Sequence, residues 1–153
     1  MAAKTQVCIM MGSDSDLVTM AEACKELDRF GVGYEIHVSS AHRTPARTIE
    51  IVSAAEAKGV QVFICGAGAA AHLAGADSLY STVQMPQGIP VATTAIGKAG
   101  AGNAGILATQ ILAVGDPALA AKMKDFKKDM AAKVVKKDNA LQEKGYAKYL
   151  EEL

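Results

Sequence analysis

The sequence predicts an α/β fold: a parallel sheet with helices on both faces and a C-terminal helical tail. Three observations carry that prediction. Three successive stretches share one plan, a short apolar run, a turn of small residues and then a helical pattern, and repeated units of that kind build parallel strands joined by crossovers. The run at 60–65 is too continuously apolar for a sheet with one wet face. The chain has 153 residues, half of them hydrophobic, which suffices for one sizeable core.

The first unit is QVCIMMGSDSD followed by LVTMAEACKELDRFG. Leu17, Met20, Ala21, Cys24 and Leu27 recur at helical spacing, and Gly31 serves as the stop. The second is YEIHVSSAHR followed by TPARTIEIVSAAEAKG, with Thr44 as N-cap, Pro45 at the first helical position and Gly59 beyond the end. The third is VQVFICGAGAAAHLAG. IPVATTAIG, at 89–97, is a fourth strand candidate, and the alanine- and glycine-rich GKAGAGNAGILATQILAVG after it allows close approach to another helix or a ligand. The tail opens on an Asp-Pro helix start at 116 and carries Leu119, Met123, Phe126 and Met130 as a narrow stripe. That stripe suits a helix lying on its own domain or one reaching a neighbouring subunit. The expected organisation is a core at 1–115 and a helical extension at 116–153.

Sixteen basic and sixteen acidic residues cancel, so no broad cationic surface is available for nucleic acid or anionic lipid. An anion must be met locally. Cys8, Cys24 and Cys65 are odd in number, far apart and set in apolar runs, which suits reduced core thiols rather than disulfides or a zinc site. The apolar stretch near the N-terminus is too short for a signal or a membrane span, so a cytoplasmic location is expected.

Ligands of open parallel sheets bind beyond the carboxyl ends of the strands, and three distinctive turns fall there. GSDSD, Gly12 to Asp16, offers the Ser13 and Ser15 hydroxyls and helix-start amides to a phosphate or ribose, with Asp14 or Asp16 accepting from sugar hydroxyls. A plain N-cap cluster explains the same residues equally well. In SSAHRTP, Arg43 beside a helix start is a natural anion partner, and His42 next to it has the chemistry of a proton shuttle. A lone histidine is usually structural; flanked by Ser40 and Arg43 at a strand end, His42 is a stronger candidate. GAGAAAHLAG adds Gly66 and Gly68, which permit close approach of amides to a ligand or tight helix packing, and a second imidazole, His72. The spacing of His37, His42 and His72 predicts no metal site, and His37 reads as structural.

MGSDSD, SSAHRTPAR, GAGAAAHLAG and DSLYSTVQMPQGIPVATTAIGKAGAGNAGILA, in order along nearly the whole chain, closely resemble the class I phosphoribosylaminoimidazole carboxylase family, the N5-carboxyaminoimidazole ribonucleotide mutases of purine biosynthesis. The resemblance implies a three-layer flavodoxin-like fold, an octamer, and a cofactor-free exchange that moves a carboxylate from the exocyclic nitrogen to ring carbon C4. It implies that Gly12, Ser13, Asp16 and Arg43 bind the anionic ribonucleotide, that Ser40, Gly66, Ala67, Gly68 and Leu73 line the pocket, and that His42 and His72 are catalytic. His72 in its motif points to the mutase rather than to the carboxylase that takes free carbon dioxide.

One departure stands out. The family implies a further strand and loop between AHLAG and DSLYS, whereas here Gly75 runs straight into Ala76, Asp77 and Ser78. Two alternatives therefore stand beside the mutase: a carboxylase fixing carbon dioxide directly on aminoimidazole ribonucleotide, and a catalytically silent nucleotide-binding or assembly module.

Overall fold

A computed structural model of the chain describes residues 4–66, 80 and 82–152. The chain divides into two compact units, 1–112 and 113–153. In the first, β1 (Thr5–Met11) leads through a short 3-10 turn, Asp14–Asp16, into α1 (Leu17–Phe30). Then come β2 (Gly33–Val38), α2 (Pro45–Ala57), β3 (Val62–Gly66) and α3 (Gly97–Ala113). Among the described residues the sheet has three parallel strands in the order β2-β1-β3, the opening of the flavodoxin-like order.

Side-chain alternation assigns the helices to faces. Cys8, Met10 and Phe63 point one way and meet Ala55, Val60, Ile51 and Val52, so α2 covers that face. A Cβ added at Gly66, on the opposite face, would lie 2.6 Å from Sδ of the buried Met20, so α1 covers the other. α3 packs on α1 in turn: a Cβ at Gly105 would come within 2.8 Å of the Ala23 carbonyl oxygen. The small residues of that helix serve close approach, as its composition suggested.

Both glycine stops are realised. Gly31 adopts φ +73° while the Val32 amide donates back to the Leu27 carbonyl at 3.0 Å, and Gly59, at φ +84°, is followed by a Val60 amide donating to Ala55 at 3.1 Å. These six-to-one bonds satisfy carbonyls that each helix end would otherwise leave unpaired. The buried stripe of α1 is Met20, Ala23, Leu27 and Phe30, so the face is turned from the expected one and Leu17 is exposed.

Two expectations are corrected. The run at 89–97 is not a strand: it is irregular up to α3, and Ile89 and Ile96 are 54% and 63% exposed. A strand is stabilised by its neighbour's ladder, and among the described residues no strand pairs with this run. The cysteines are not uniformly core thiols either: Cys8 is buried, Cys24 half-buried and Cys65 exposed. Cys65 sits near the end of β3, an outer strand of the described sheet.

The second unit is α4 (Pro117–Lys144) and α5 (Tyr146–Glu151). Asp116 caps α4 as the Asp-Pro start predicted, its Oδ1 accepting from the amides of Ala118 and Leu119 at 3.0 Å each. Gly145, at φ +72°, separates the two helices, and Lys144 pairs with Glu152 across the break. Of the predicted stripe, Leu119 and Met123 are buried and Met130 is exposed. No helix among the described residues is long and apolar enough to cross a membrane.

Candidate functional site

The register of the sheet brings the turns together. Met11 pairs with Val38 on one side and Gly66 on the other, so all three strands end on one row. Each candidate turn leaves from that row, on the edge where parallel sheets bind ligands.

The first turn is self-contained. Ser13 Oγ accepts from the Ser15 amide at 3.3 Å, and Asp16 Oδ2 accepts from the Ser13 amide at 3.2 Å, completing a capping box. The Ser15 hydroxyl donates to Ser13 Oγ at 2.9 Å. Local capping therefore accounts for these residues.

The second turn is tied to the first. Arg43 Nη2 donates to the Gly12 carbonyl at 2.6 Å, joining positions 31 residues apart. A guanidinium has five N–H donors in a planar fork, so this contact orients the cation while leaving donors for an anion. The Arg43 amide donates to Ser40 Oγ at 3.2 Å, and the exposed His42 lies between them in sequence. Below, Ser39 is buried: its amide donates to the Met11 carbonyl at 2.8 Å and its hydroxyl pairs with that of Thr48 at 2.9 Å.

Thr44 departs from expectation. It stands at the N-cap position of α2, but no side chain caps that helix, and its hydroxyl turns back to the backbone of Ser40 instead. Two things follow: the turn is braced, and the first amides of a 13-residue helix beside Arg43 are left without a side-chain cap. Uncapped helix-start amides and a guanidinium suit the same anion. Sequence reasoning overlooked this bracing, although hydroxyl residues four apart at Ser40, Thr44 and Thr48 were its signal.

Of the third turn, Gly66 is described; Ala67, Gly68, His72 and Leu73 lie outside the described residues. A glycine at 66 is explained by Met20, whose buried thioether occupies the space of a Cβ.

Away from these turns, Cys8, Glu35 and His37 bring donor atoms within 4.8 Å of one another. The set is ill suited to a metal. The Lys58 ammonium already holds Glu35 at 2.8 Å, and burial, reinforced by Glu35, pushes the Cys8 thiol up to about 11, whereas a metal needs the thiolate. Hydrogen bonding to Lys58 keeps the Glu35 carboxyl below its ordinary range.

Against known proteins, the sequence pattern of the family described as AIR carboxylase matches residues 6–76 and 73–133. The chain belongs to the AIR carboxylase family. The match to the AIR carboxylase pattern comes in two pieces that overlap at 73–76, the place where the sequence departs from the expected motif order. An N5-carboxyaminoimidazole ribonucleotide mutase of Thermotoga maritima is 45% identical over 167 aligned residues, covering 95% of this chain and 96% of that protein. One from Pyrococcus horikoshii is 46% identical, covering 97% and 96% respectively. A phosphoribosylaminoimidazole carboxylase of Candida glabrata is 42% identical over 97% of this chain, which spans 30% of that protein. Among solved structures, PurE of Treponema denticola superposes with a TM-score of 0.78 at 28% identity, covering 90% of this chain and 98% of that one.

Proposed function

We propose that this chain is an N5-carboxyaminoimidazole ribonucleotide mutase of purine biosynthesis. The observation that carries the reading is the common row of strand ends, with Arg43 bridging the first two turns and His42 beside it, in a chain nearly half identical to mutases over almost its full length. Arg43 and the uncapped start of α2 hold the phosphate. Gly12, Ser13, Asp16 and Ser40 meet the ribose and its surroundings, and Gly66, Ala67, Gly68 and Leu73 complete the pocket wall.

The chemistry needs one proton moved out and back. As the carbamate loses carbon dioxide, its nitrogen takes a proton from the His42 imidazolium and becomes the amine. The electron-rich C4 of the aminoimidazole then attacks the retained carbon dioxide, and the C4 proton of the adduct returns to the neutral imidazole. The proton balance closes without solvent, and the turns contribute proximity. His72 is assigned to the same catalytic centre. The family assembly, an octamer, would cover exposed side chains such as Ile49, Ile89 and Ile96, and sedimentation of the purified protein tests it. A cytoplasmic location goes with this reading.

The likeness to the Candida carboxylase favours one second reading, direct addition of carbon dioxide to aminoimidazole ribonucleotide. One assay separates the two. Purified chain is given the carboxyamino ribonucleotide, or aminoimidazole ribonucleotide with bicarbonate, and product is followed by absorbance. The mutase converts the first without added bicarbonate. Turnover of the second substrate alone would replace the mutase reading with the carboxylase.

A further inference from the structure

Threonine in front of a helix ordinarily accepts a hydrogen bond from an amide of the first turn. Ser13 does this for the turn that follows it. Thr44, directly before Pro45 of α2, does not. Its hydroxyl donates to the Ser40 carbonyl at 3.0 Å and accepts from the Ser40 amide at 3.2 Å, while its own amide donates to that same carbonyl at 2.7 Å. These bonds close a ring from Ser40 to Thr44, leaving Ala41, His42 and Arg43 as its arc.

The ring is held from two sides. The Arg43 amide and guanidinium reach Ser40 Oγ and the Gly12 carbonyl, and Ser39 with Thr48 anchors the base. The imidazole of His42 is exposed between these restraints, so its direction depends on the backbone that carries it. A capping hydroxyl would stabilise α2; this one stabilises the turn.

We infer that Thr44 is a positioning residue: its hydroxyl fixes the arc that aims His42, and by turning away from α2 it leaves the helix-start amides open to the substrate's anion. The inference rests on the assignment of His42 as the acid–base group. Arg43 keeps its own contacts without it, so the hydroxyl matters for turnover more than for binding.

The test compares Thr44→Val, which removes the hydroxyl at nearly constant shape, with Thr44→Ser, which keeps it. Steady-state kinetics on the carboxyamino ribonucleotide are read together with amide 15N relaxation of the full chain. Thr44→Val lowers kcat at least about tenfold with KM changed by less than about threefold, as expected of a misaimed group. Its amides at 41–43 become more mobile while those of α2 do not, and Thr44→Ser restores both readouts. A Thr44→Val enzyme with unchanged kcat, a serine variant no better than the valine one, or mobility spread along all of α2 would each overturn the inference. Should the native chain prove inactive, the relaxation arm decides alone: loosening confined to 41–43 supports the bracing while the mutase reading falls, and an unchanged arc removes the bracing too.

Discussion

Arg43→Lys separates a phosphate-binding role from a merely structural one. In the native turn, Nη2 is committed to the Gly12 carbonyl at 2.6 Å, and Arg43 lies two residues before α2, whose start has no side-chain cap. A lysine ammonium is a single point of donation that cannot hold the carbonyl and grip two phosphate oxygens in one plane. A hydrogen bond to a charged group contributes about 1.5–3 kcal/mol. Because Arg43 is exposed and its field is screened, the lower end applies, about 1.5 kcal/mol, or roughly tenfold in affinity. Calorimetric titration of the reaction product should therefore give a dissociation constant raised about tenfold in Arg43→Lys. Titration of the matching nucleoside, which lacks the phosphate, should be unaffected, and Arg43→Gln should lose more because the charge goes as well. Equal losses for nucleotide and nucleoside, or no loss for either, would refute a phosphate role and leave Arg43 as a strut between two turns.

His42→Asn should bind product within about threefold of the native chain while turnover falls by about 10²–10⁴, the usual range for a lost acid–base group; an equal loss of affinity would assign His42 to binding. Gly105→Ala and Gly102→Ala should shift urea unfolding in opposite directions. At Gly105 the added Cβ meets the Ala23 carbonyl oxygen at 2.8 Å, and overpacking of about 1–3 kcal/mol outweighs the helix-propensity gain of up to about 1 kcal/mol; at Gly102 nothing lies within 4 Å and the gain stands alone. Shifts of the same sign would contradict the close α1–α3 packing. Glu35, held below its ordinary 4.5 by Lys58, contributes stability that is complete above 4.5 and lost as pH falls through its lower folded value, so Lys58→Met should weaken the acid dependence of unfolding in that window. An unchanged acid limb would show the pair to be inconsequential.

What could be read from the sequence was what depends on local chemistry. Gly31 and Gly59 were legible as stops because positive φ is a glycine conformation, and Asp116 before Pro117 was legible as a cap because few other arrangements suit that pair. The alternation of apolar runs and helical patterns disclosed the parallel sheet. Features set by distant partners were hidden. The 89–97 run has strand composition, but a ladder needs a neighbour that the sequence does not supply. Cys65 belongs to an apolar run, yet an outer strand covers its residues unequally. At Thr44 the residue type was read correctly and the direction of its hydroxyl was not, since Ser40 and the first helical turn compete for one oxygen. The Arg43 bond to Gly12 spans two units of the pattern and left no local trace.

The proposed framework for the ligand and the family segment expected after Gly75 are separable in physical terms. On the proposed reading, ligand placement rests on three strand ends sharing a row and on bonds among residues 12–48, all upstream of Gly75 and satisfied among themselves. Among the described residues β3 has no strand on its other side, and Ile89, Val91 and Ile96 are exposed, so the effect of a lost strand would fall on enclosure. Enclosure matters to this reaction in a specific way: the carbon dioxide released in the first half must be captured by C4 before it diffuses away. A breached wall would thus show as uncoupling, with carboxyamino ribonucleotide consumed faster than the C4 carboxylate forms and aminoimidazole ribonucleotide making up the difference. The ratio of the two products, measured chromatographically in one reaction, reports the seal directly. A ratio independent of added carbon dioxide scavenger would show that the pocket stays closed without the missing segment; a ratio that tracks the scavenger would place the defect in the wall and leave the three turns intact.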